Sequence, residues 1–284
     1  YEGWKVAASA RRKELLDDLA KHNNISSFPL DVTNRSQINI VFNEILNVFG
    51  DIDICLFSSG TYEPKDEQNI DPDKIKNVIN VNFLGVIDCV KVVEDYFKNK
   101  KSGHISIVSS IAGYRGLPNS SGYGPSKAAL TNFSESIYFD FKKFGVRVSV
   151  VSPGFIKTPL TDKNEFPMPF LKTPEYAADK IYNGLVKGNA FEIHFPKGLT
   201  LTLKFLRILP YRLYLFLVDK LVKRYTWDKK SLIIDWKFYI IISSNLKLVL
   251  TIIAFSIYIS VIAFYHNTPV SELDNYFRFA LLFP

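Results

Sequence analysis

Short apolar runs alternate with amphipathic stretches along residues 5–195. The runs predict strands, because a strand buried on both faces of a parallel sheet is apolar without alternation. They lie at residues 5–10, 27–32, 52–58, 104–109, 147–152 and 191–195. Between them, helical spacing of apolar residues predicts helices over residues 11–22, 35–49, 73–99, 121–143 and 174–187. This alternation predicts an α/β fold, a doubly wound parallel sheet with its ligand crevice at the carboxyl ends of the strands.

The length and composition indicate one large globular domain with an appendage. The chain has 284 residues, of which 47% are hydrophobic, so it can bury a sizeable core. Its two cysteines, Cys55 and Cys89, lie inside apolar runs, which favours buried free thiols over a disulfide. The four histidines show no metal-ligand spacing, and we expect no metal.

The net charge of +7 is concentrated in one segment. Residues 197–230 contain nine Lys or Arg and two Asp, whereas the rest of the chain has 26 basic and 26 acidic side chains. The basic residues are interleaved with Leu, Phe and Tyr. This pattern predicts a basic amphipathic helical segment that contacts an anionic membrane surface rather than a nucleic acid.

The last segment, residues 231–284, is a hydrophobic tail. Residues 248–265 are eighteen residues without a charge, which is the lower edge of a membrane-spanning length. A span is one interpretation; a buried or partner-facing helix, and spurious translated sequence, are the others. With Lys237 and Lys247 before the run, a span would place the preceding domain on the cytoplasmic side of a membrane. The alternative location is the cytoplasm itself.

Hydroxyl groups and one lysine are concentrated in the segment that connects the predicted strand at 104–109 to the predicted helix at 121–143 and in the first turns of that helix. A Tyr-x-x-x-Lys pattern occurs six times in the chain, so alone it indicates nothing. Only Tyr123, with Lys127, also has a serine thirteen residues upstream, Ser110, at the end of a predicted strand. The three side chains are therefore expected to reach one crevice.

This arrangement resembles the short-chain dehydrogenase/reductase family, and other motifs follow in the order of that family. They are Asp31 after the second strand, Ser58–Gly60 after the third, Asn82 in VNFLG, and PGFIKT at residues 153–158. The resemblance covers residues 1–196 and implies a Rossmann-type catalytic domain with Ser110, Tyr123, Lys127 and Asn82 as catalytic residues. It implies cofactor contacts from Arg11, Asp31, Val32, Ser58, Ser59, Gly60, Tyr123, Lys127, Pro153, Gly154, Ile156 and Thr158.

The chemistry implied by the resemblance is carbonyl–alcohol interconversion with hydride from nicotinamide. A free tyrosine has a pKa near ~10, and a lysine one helical turn along favours the phenolate. Tyr123 would exchange the proton, Ser110 would orient the oxygen, and Lys127 would also bind the nicotinamide ribose. Asn82 would hold a water in a proton relay.

The cofactor preference is predicted from the end of the first predicted strand. An acid there binds a ribose 2′-hydroxyl, and an arginine accommodates a 2′-phosphate. Arg11 and Arg12 follow the strand, and the first acid is Glu14. NADP is therefore expected in preference to NAD, unless the arginines only begin a solvated helix.

The chain departs from the family pattern in two places. Residues 57–60 read Phe-Ser-Ser-Gly where the family has Asn-Asn-Ala-Gly. The sequence also begins at a position that resembles the end of the first family helix. The first strand and its glycine-rich turn would precede Tyr1, and a slot in the sheet is predicted.

A non-catalytic dinucleotide-binding scaffold or sensor is the alternative function, whereas a sugar-nucleotide epimerase is disfavoured because no substrate domain follows the sheet.

The segment at residues 159–174 resembles the variable substrate lid of the family. Its apolar residues are Leu160, Phe166, Met168, Phe170 and Leu171. They indicate a small or lipid-like apolar carbonyl or alcohol substrate, or else a lid that only packs on the core. A homo-oligomer is compatible with the sequence and is left open.

Overall fold

The computed structural model describes residues 3–63, 70–164, 166 and 168–227, with side chains as far as residue 220. Residues 1–227 form one compact unit. The predicted tail, 231–284, and its candidate span, 248–265, lie outside the described residues. Within the described ranges, no helix is both long enough and apolar enough to cross a bilayer.

A parallel sheet in two parts forms the centre of the unit. Its strands in the described part of the chain are β1 (Val6–Ala10), β2 (Ile25–Pro29), β3 (Ile54–Phe57), β4 (His104–Val108), β5 (Arg147–Pro153) and β6 (Glu192–Phe195). β1 pairs with β2, and the other four pair in the order β3-β4-β5-β6, all parallel. The predicted α/β fold with a divided sheet is confirmed; the second strand begins two residues earlier than predicted and ends before Asp31.

Helices separate the strands. They are α1 (Lys13–Leu19), α2 (Arg35–Phe49), α3 (Pro72–Ile79), α4 (Gly85–Lys100), α5 (Tyr123–Lys142), α6 (Pro174–Tyr182), α7 (Lys197–Ile208) and α8 (Tyr211–Trp227). Side-chain caps fix several beginnings, since the side chains of Asn34, Asp71 and Thr173 accept hydrogen bonds from backbone N–H groups of the first turns of α2, α3 and α6. The helix predicted over 73–99 is in fact two helices joined by a π-helical turn, Asn80–Leu84. The helix predicted over 174–187 likewise ends in a π-helical turn, Asn183–Lys187.

The core lies between the middle strands and the helices on both faces. Ile105 and Ile107 of β4 and Val148 of β5 are at most 1% exposed, and Phe97 and Leu130 from the helices pack with them. Their burial explains why the central strands are apolar without alternation. Cys89 is buried and Cys55 is half-buried, and both are free thiols.

The described part of the basic segment predicted at 197–230 forms α7 and α8, which belong to the same compact unit as the residues before them. Leu199 and Tyr214 are buried, and Leu199 packs with Ile111 and Tyr114. Lys204 forms an ion pair with Glu192 of β6. One face of the segment therefore packs on the domain, and part of its positive charge is neutralised there.

Candidate active site

The predicted site residues lie on segments that leave the carboxyl ends of the strands. Gly60 follows β3, Ser110 follows β4 and Gly154 follows β5. Parallel strands end at one edge of a sheet, so these loops converge on one crevice. Tyr123 is the first residue of α5, the helix that returns from the β4 loop.

Tyr123 and Lys127 lie one helical turn apart on α5. The Lys127 Nζ lies 5.6 Å from the centroid of the Tyr123 ring and donates a hydrogen bond of 2.8 Å to the carbonyl of Val108, the last residue of β4. Lys127 is only 3% exposed. The ammonium is therefore anchored to the end of the central strand and held near the phenol ring.

Ser110 is placed by a short 3₁₀ turn, Ile111–Gly113, at whose beginning its Oγ accepts a hydrogen bond of 3.2 Å from the N–H of Ala112. The loop fits tightly on α5: a Cβ on Gly113 would lie 2.7 Å from the carbonyl carbon of Lys127. Ser109 reinforces the contact, since its Oγ donates to the Lys127 carbonyl at 2.7 Å. The loop therefore fixes Ser110 against the first turns of α5, the helix that begins at Tyr123.

Burial changes the proton affinities of the two titratable groups. Desolvation raises the pKa of Tyr123, a hydrogen bond with Ser110 opposes that rise, and the nearby Tyr62 adds to it. Desolvation lowers the pKa of Lys127 to about 8. Desolvation is therefore the largest influence on the pKa of the Tyr123 phenol. Here Tyr123 is held as the neutral phenol, which is the form that donates a proton.

Asn82 lies in the π-helical turn between α3 and α4 and is fully buried. Its Oδ1 accepts from the N–H of Thr61 at 2.6 Å, and its Nδ2 donates to the Thr61 carbonyl at 2.9 Å and to Ser126 Oγ at 3.1 Å. Both amide hydrogens are used, so the side chain cannot donate to a water. In this structure Asn82 fixes the loop after β3 against α5, and the π-helical turn is what points it there.

Gly60 leaves open space beside the lysine. A Cβ at this position would lie 3.5 Å from Lys127 Nζ and 3.6 Å from Asn82 Oδ1, so the glycine borders the polar end of the crevice. Ser58 is exposed and Ser59 half-buried on the same loop. The buried Lys127 ammonium fits a ribose, because hydroxyl oxygens accept hydrogen bonds from ammonium groups. Gly60 has no side chain, so the backbone there can approach the neighbouring ring closely.

The predicted adenosine side of the site lies at the ends of β1 and β2. Arg11 directly follows β1 and is exposed. The Asp31 carboxylate accepts from the N–H and the Oγ1 of Thr33 at 2.9 and 2.8 Å. The Thr33 hydrogen bonds, and to a lesser extent the Arg11 charge, lower the pKa of Asp31. Val32 packs on α4, where a Cβ on Gly85 would meet its Cγ2 at 2.8 Å.

The conformation of the loop after β5 is fixed by hydrogen bonds from its backbone N–H groups. The N–H of Gly154 donates to the Phe195 carbonyl at 2.7 Å, and Ile156 forms a parallel bridge with Lys172. The N–H of Thr158 donates to Thr161 Oγ1 at 3.0 Å. Residues 153–158 are therefore a defined shelf beside the crevice, where the resemblance places the nicotinamide carboxamide.

Tyr62 is a site residue that the sequence reasoning missed. Its ring lies edge-on against Tyr123, with 5.3 Å between the centroids, and burial raises the pKa of its phenol. Its carbonyl accepts from Lys163 Nζ of the lid at 3.0 Å. The available signal was its position two residues after Gly60, in a loop already expected to line the crevice.

The lid exposes large apolar side chains. Phe166, Phe170 and Leu171 are 43, 57 and 41% exposed, and the Phe166 ring contacts Phe155 at 6.0 Å between centroids. The domain therefore covers these three side chains only in part.

The chain is similar to known proteins in sequence and in fold. Residues 1–167 match the family model for short chain dehydrogenase. An uncharacterized oxidoreductase of Myxococcus xanthus is 32% identical over 217 residues, which are 75% of this chain and 85% of that protein. The 3-oxoacyl-(acyl-carrier-protein) reductase FabG of Thermotoga maritima is 32% identical over 167 residues, 57% of this chain and 68% of the reductase. The structure of ElxO with NADP bound has a TM-score of 0.61 and 27% identity, and covers 69% of this chain and 88% of its own.

The fold and the site define an oxidoreductase that acts on CH–OH and C=O groups. The chain belongs to the short-chain dehydrogenase family.

Proposed function

We propose that this protein is an NADP-dependent oxidoreductase that interconverts a carbonyl and an alcohol on an apolar substrate, with Tyr123 as the proton donor and acceptor. The observation that carries the proposal is the pairing of Tyr123 with the buried Lys127, 5.6 Å from ring centroid to Nζ. Ser110 begins the turn after β4 and lowers the pKa of the same phenol, so the two hydroxyl groups would hold the reacting oxygen between them.

The side chains divide the work as follows. In the reduction direction the Tyr123 phenol donates its proton to the carbonyl oxygen, and the Ser110 hydroxyl holds that oxygen. The nicotinamide supplies the hydride when it is bound. Lys127 stabilises the phenolate that remains and binds the cofactor ribose. Asn82 holds the Gly60 loop in place, and that loop and residues 153–158 would line the nicotinamide end.

Arg11 supports NADP as the cofactor. Its guanidinium stands exposed at the end of β1, where an arginine is suited to a 2′-phosphate. The NADP-bound relative ElxO supports the same choice. An apolar substrate is supported by the exposed lid residues Phe166, Phe170 and Leu171.

The test is turnover of aliphatic and aromatic carbonyl compounds with NADPH by the Tyr123→Phe variant. Loss of the proton donor should reduce kcat by orders of magnitude, about 10²–10⁴-fold, with unchanged folding. Tyr138→Phe is a matched control, because Tyr138 lies on the same helix with Lys142 Nζ 5.5 Å from its ring. Equal turnover in both variants would refute the role of Tyr123. NADPH binding without turnover in the unmodified protein would instead support a scaffold or sensor.

A further inference from the structure

The outer face of α7 and α8 carries large apolar side chains that the domain does not cover. Their exposed fractions lie between 54 and 76%; they are Leu201, Ile208, Tyr211, Leu215 and Phe216. The opposite face is packed on the domain through Leu199 and Tyr214, which are 8 and 3% exposed. The two helices are therefore amphipathic with their second apolar surface turned outward, which a helix serving only the core does not need.

The two helices also carry exposed basic residues, namely Lys197, Arg207, Arg212 and Lys220. On α8 the four-residue spacing places Arg212, Phe216 and Lys220 in one row beside the row of Tyr211, Leu215 and the exposed Asp219. Lys220 Nζ lies over the Phe216 ring, 4.9 Å from its centroid, so the cationic group and the aromatic side chain are next to each other on this helix. Long cationic side chains in this arrangement can reach headgroups while their neighbours enter the acyl region.

The face is continuous with the substrate lid. Phe170 of the lid, 57% exposed, contacts the first turn of α7, since a Cβ on Gly198 would lie 3.4 Å from its Cε1 atom. Leu201 follows Gly198 by one helical turn on the same side of α7. Apolar surface thus runs from the lid along α7 towards α8.

We propose that the α7–α8 face docks on a lipid bilayer with anionic headgroups, which presents the lid to the acyl region. The charge argues for this occupant: residues 197–220 contain five basic side chains and one acidic one, Asp219; of the five, Lys204 is paired with Glu192 and Lys197 is hydrogen-bonded to His194. Delivery of substrate from the lipid rests on the proposed function; the docking itself does not.

A fluorophore on the face reports the docking directly in the full chain. An environment-sensitive thiol probe is attached in Phe216→Cys and, as a matched control, in Ile40→Cys, because Ile40 is 58% exposed on α2. Burial raises the pKa of both native thiols, Cys55 and Cys89, to about 12, so they hold little of the reactive thiolate. Vesicles of phosphatidylcholine containing about a third phosphatidylserine should shift the emission of the probe at position 216 to the blue, and salt should reduce the shift. The probe at position 40 should not respond.

A charge variant provides the second arm. Arg207→Gln with Arg212→Gln should weaken vesicle binding at low salt by roughly thirtyfold, since each basic residue near an anionic surface contributes about fivefold. Lys21→Gln with Lys143→Gln is the control, because both side chains are more than 70% exposed and lie away from α7 and α8 in the chain. The control pair should bind vesicles like the unmodified protein.

Three outcomes would overturn the proposal. One is an unchanged emission at position 216 with every vesicle. Another is equal loss of binding in the two charge variants. The third is a shift at position 216 that grows with protein concentration without vesicles, which would assign the face to a second copy of the chain. Tyr123→Phe should bind vesicles normally, so failure of the docking and failure of the catalytic proposal are separate results.

Discussion

The guanidinium carbon of Arg115 lies 3.9 Å from the centroid of the Tyr214 ring. This contact joins the loop that carries Ser110 to α8. The same guanidinium donates through Nη1 to the carbonyls of Leu206, Arg207 and Leu209 at the end of α7, at 2.8–3.0 Å. Tyr214 returns the contact, since its hydroxyl donates to the Gly116 carbonyl at 2.7 Å. Arg115, five positions after Ser110, thus caps the end of α7 and holds α8 in contact with the Ser110 loop.

Replacing Arg115 should loosen α7 and α8 and with them the Ser110 loop. Arg115→Ala removes charge-assisted bonds to three carbonyls at a helix end, which should reduce the free energy of unfolding by about 2 kcal/mol. Arg115→Lys should recover only part of it, because a lysine keeps the charge and lacks the planar fork. Urea unfolding of the full chain measures the loss. The kcat for carbonyl reduction should also fall, because the loop that holds the Ser110 hydroxyl becomes less fixed.

The matched control is Lys143→Ala, an exposed basic residue whose nearest acid, Asp140, is 4.0 Å away. An exposed ion pair of this kind contributes little. Equal stability of Arg115→Ala and Lys143→Ala would show that the guanidinium does not hold the helices.

Arg11→Asp should change the cofactor preference from NADPH towards NADH. The introduced carboxylate repels a 2′-phosphate and can accept from a 2′-hydroxyl, so the affinity for NADPH should fall at least about tenfold. Fluorescence titration with both cofactors is the measurement, and Lys13→Asp, in the first turn of α1, is the control. An unchanged preference would mean that Arg11 only begins a solvated helix.

The sequence predicted the parts of the fold that depend on local pattern. Each predicted strand is present, because buried parallel strands such as β4 and β5 are marked by apolar runs and by the polar turns that bound them. The serine-to-tyrosine spacing also led to two residues that lie at the turn after β4 and at the first position of α5. These features need no knowledge of distant contacts.

Other features depend on contacts between segments far apart in the chain. The π-helical turn at Asn82 reflects hydrogen bonds to Thr61 and Ser126, which no helical periodicity contains. The rise in the Tyr123 pKa comes from desolvation in the folded crevice. The seating of α7 and α8 by Arg115 joins residues about ninety positions apart. The basic pattern of residues 197–230 predicted an exposed basic surface. It could not predict that Lys204 is neutralised by Glu192 of the domain.

His104 should make the folded domain sensitive to acid. It is 4% exposed on β4, with Nε2 2.7 Å from Ser149 Oγ, and desolvation, aided by the charge of Arg147, lowers its pKa from 6.5 to about 4. Between these values the unfolded chain binds the proton and the folded one does not, so stability falls as the pH falls from 6.5 towards 4, by roughly 2–3 kcal/mol. Urea unfolding at several pH values gives the slope.

His104→Asn should make that slope shallower, because asparagine does not titrate and can still bond the serine hydroxyl. Identical slopes in the two proteins would contradict the assignment, whatever the absolute stability of the variant.

Lys127 should impose an alkaline limit on cofactor capture. Burial lowers its pKa from 10.5 to about 8, so the ammonium loses its proton in the folded protein as the pH rises through about 8. The neutral amine attracts the anionic cofactor less and no longer stabilises the Tyr123 phenolate. We expect kcat/KM for NADPH, which reports the groups of the free protein, to fall with a midpoint near 8. The neighbouring phenol cannot account for this alkaline fall in kcat/KM, because burial raises the pKa of Tyr123.

Lys127→Arg, whose guanidinium stays charged, should lower kcat/KM at every pH yet remove this alkaline fall, the limb of the pH profile above about pH 8. A limb that persists unchanged in that variant would assign the titration to another group.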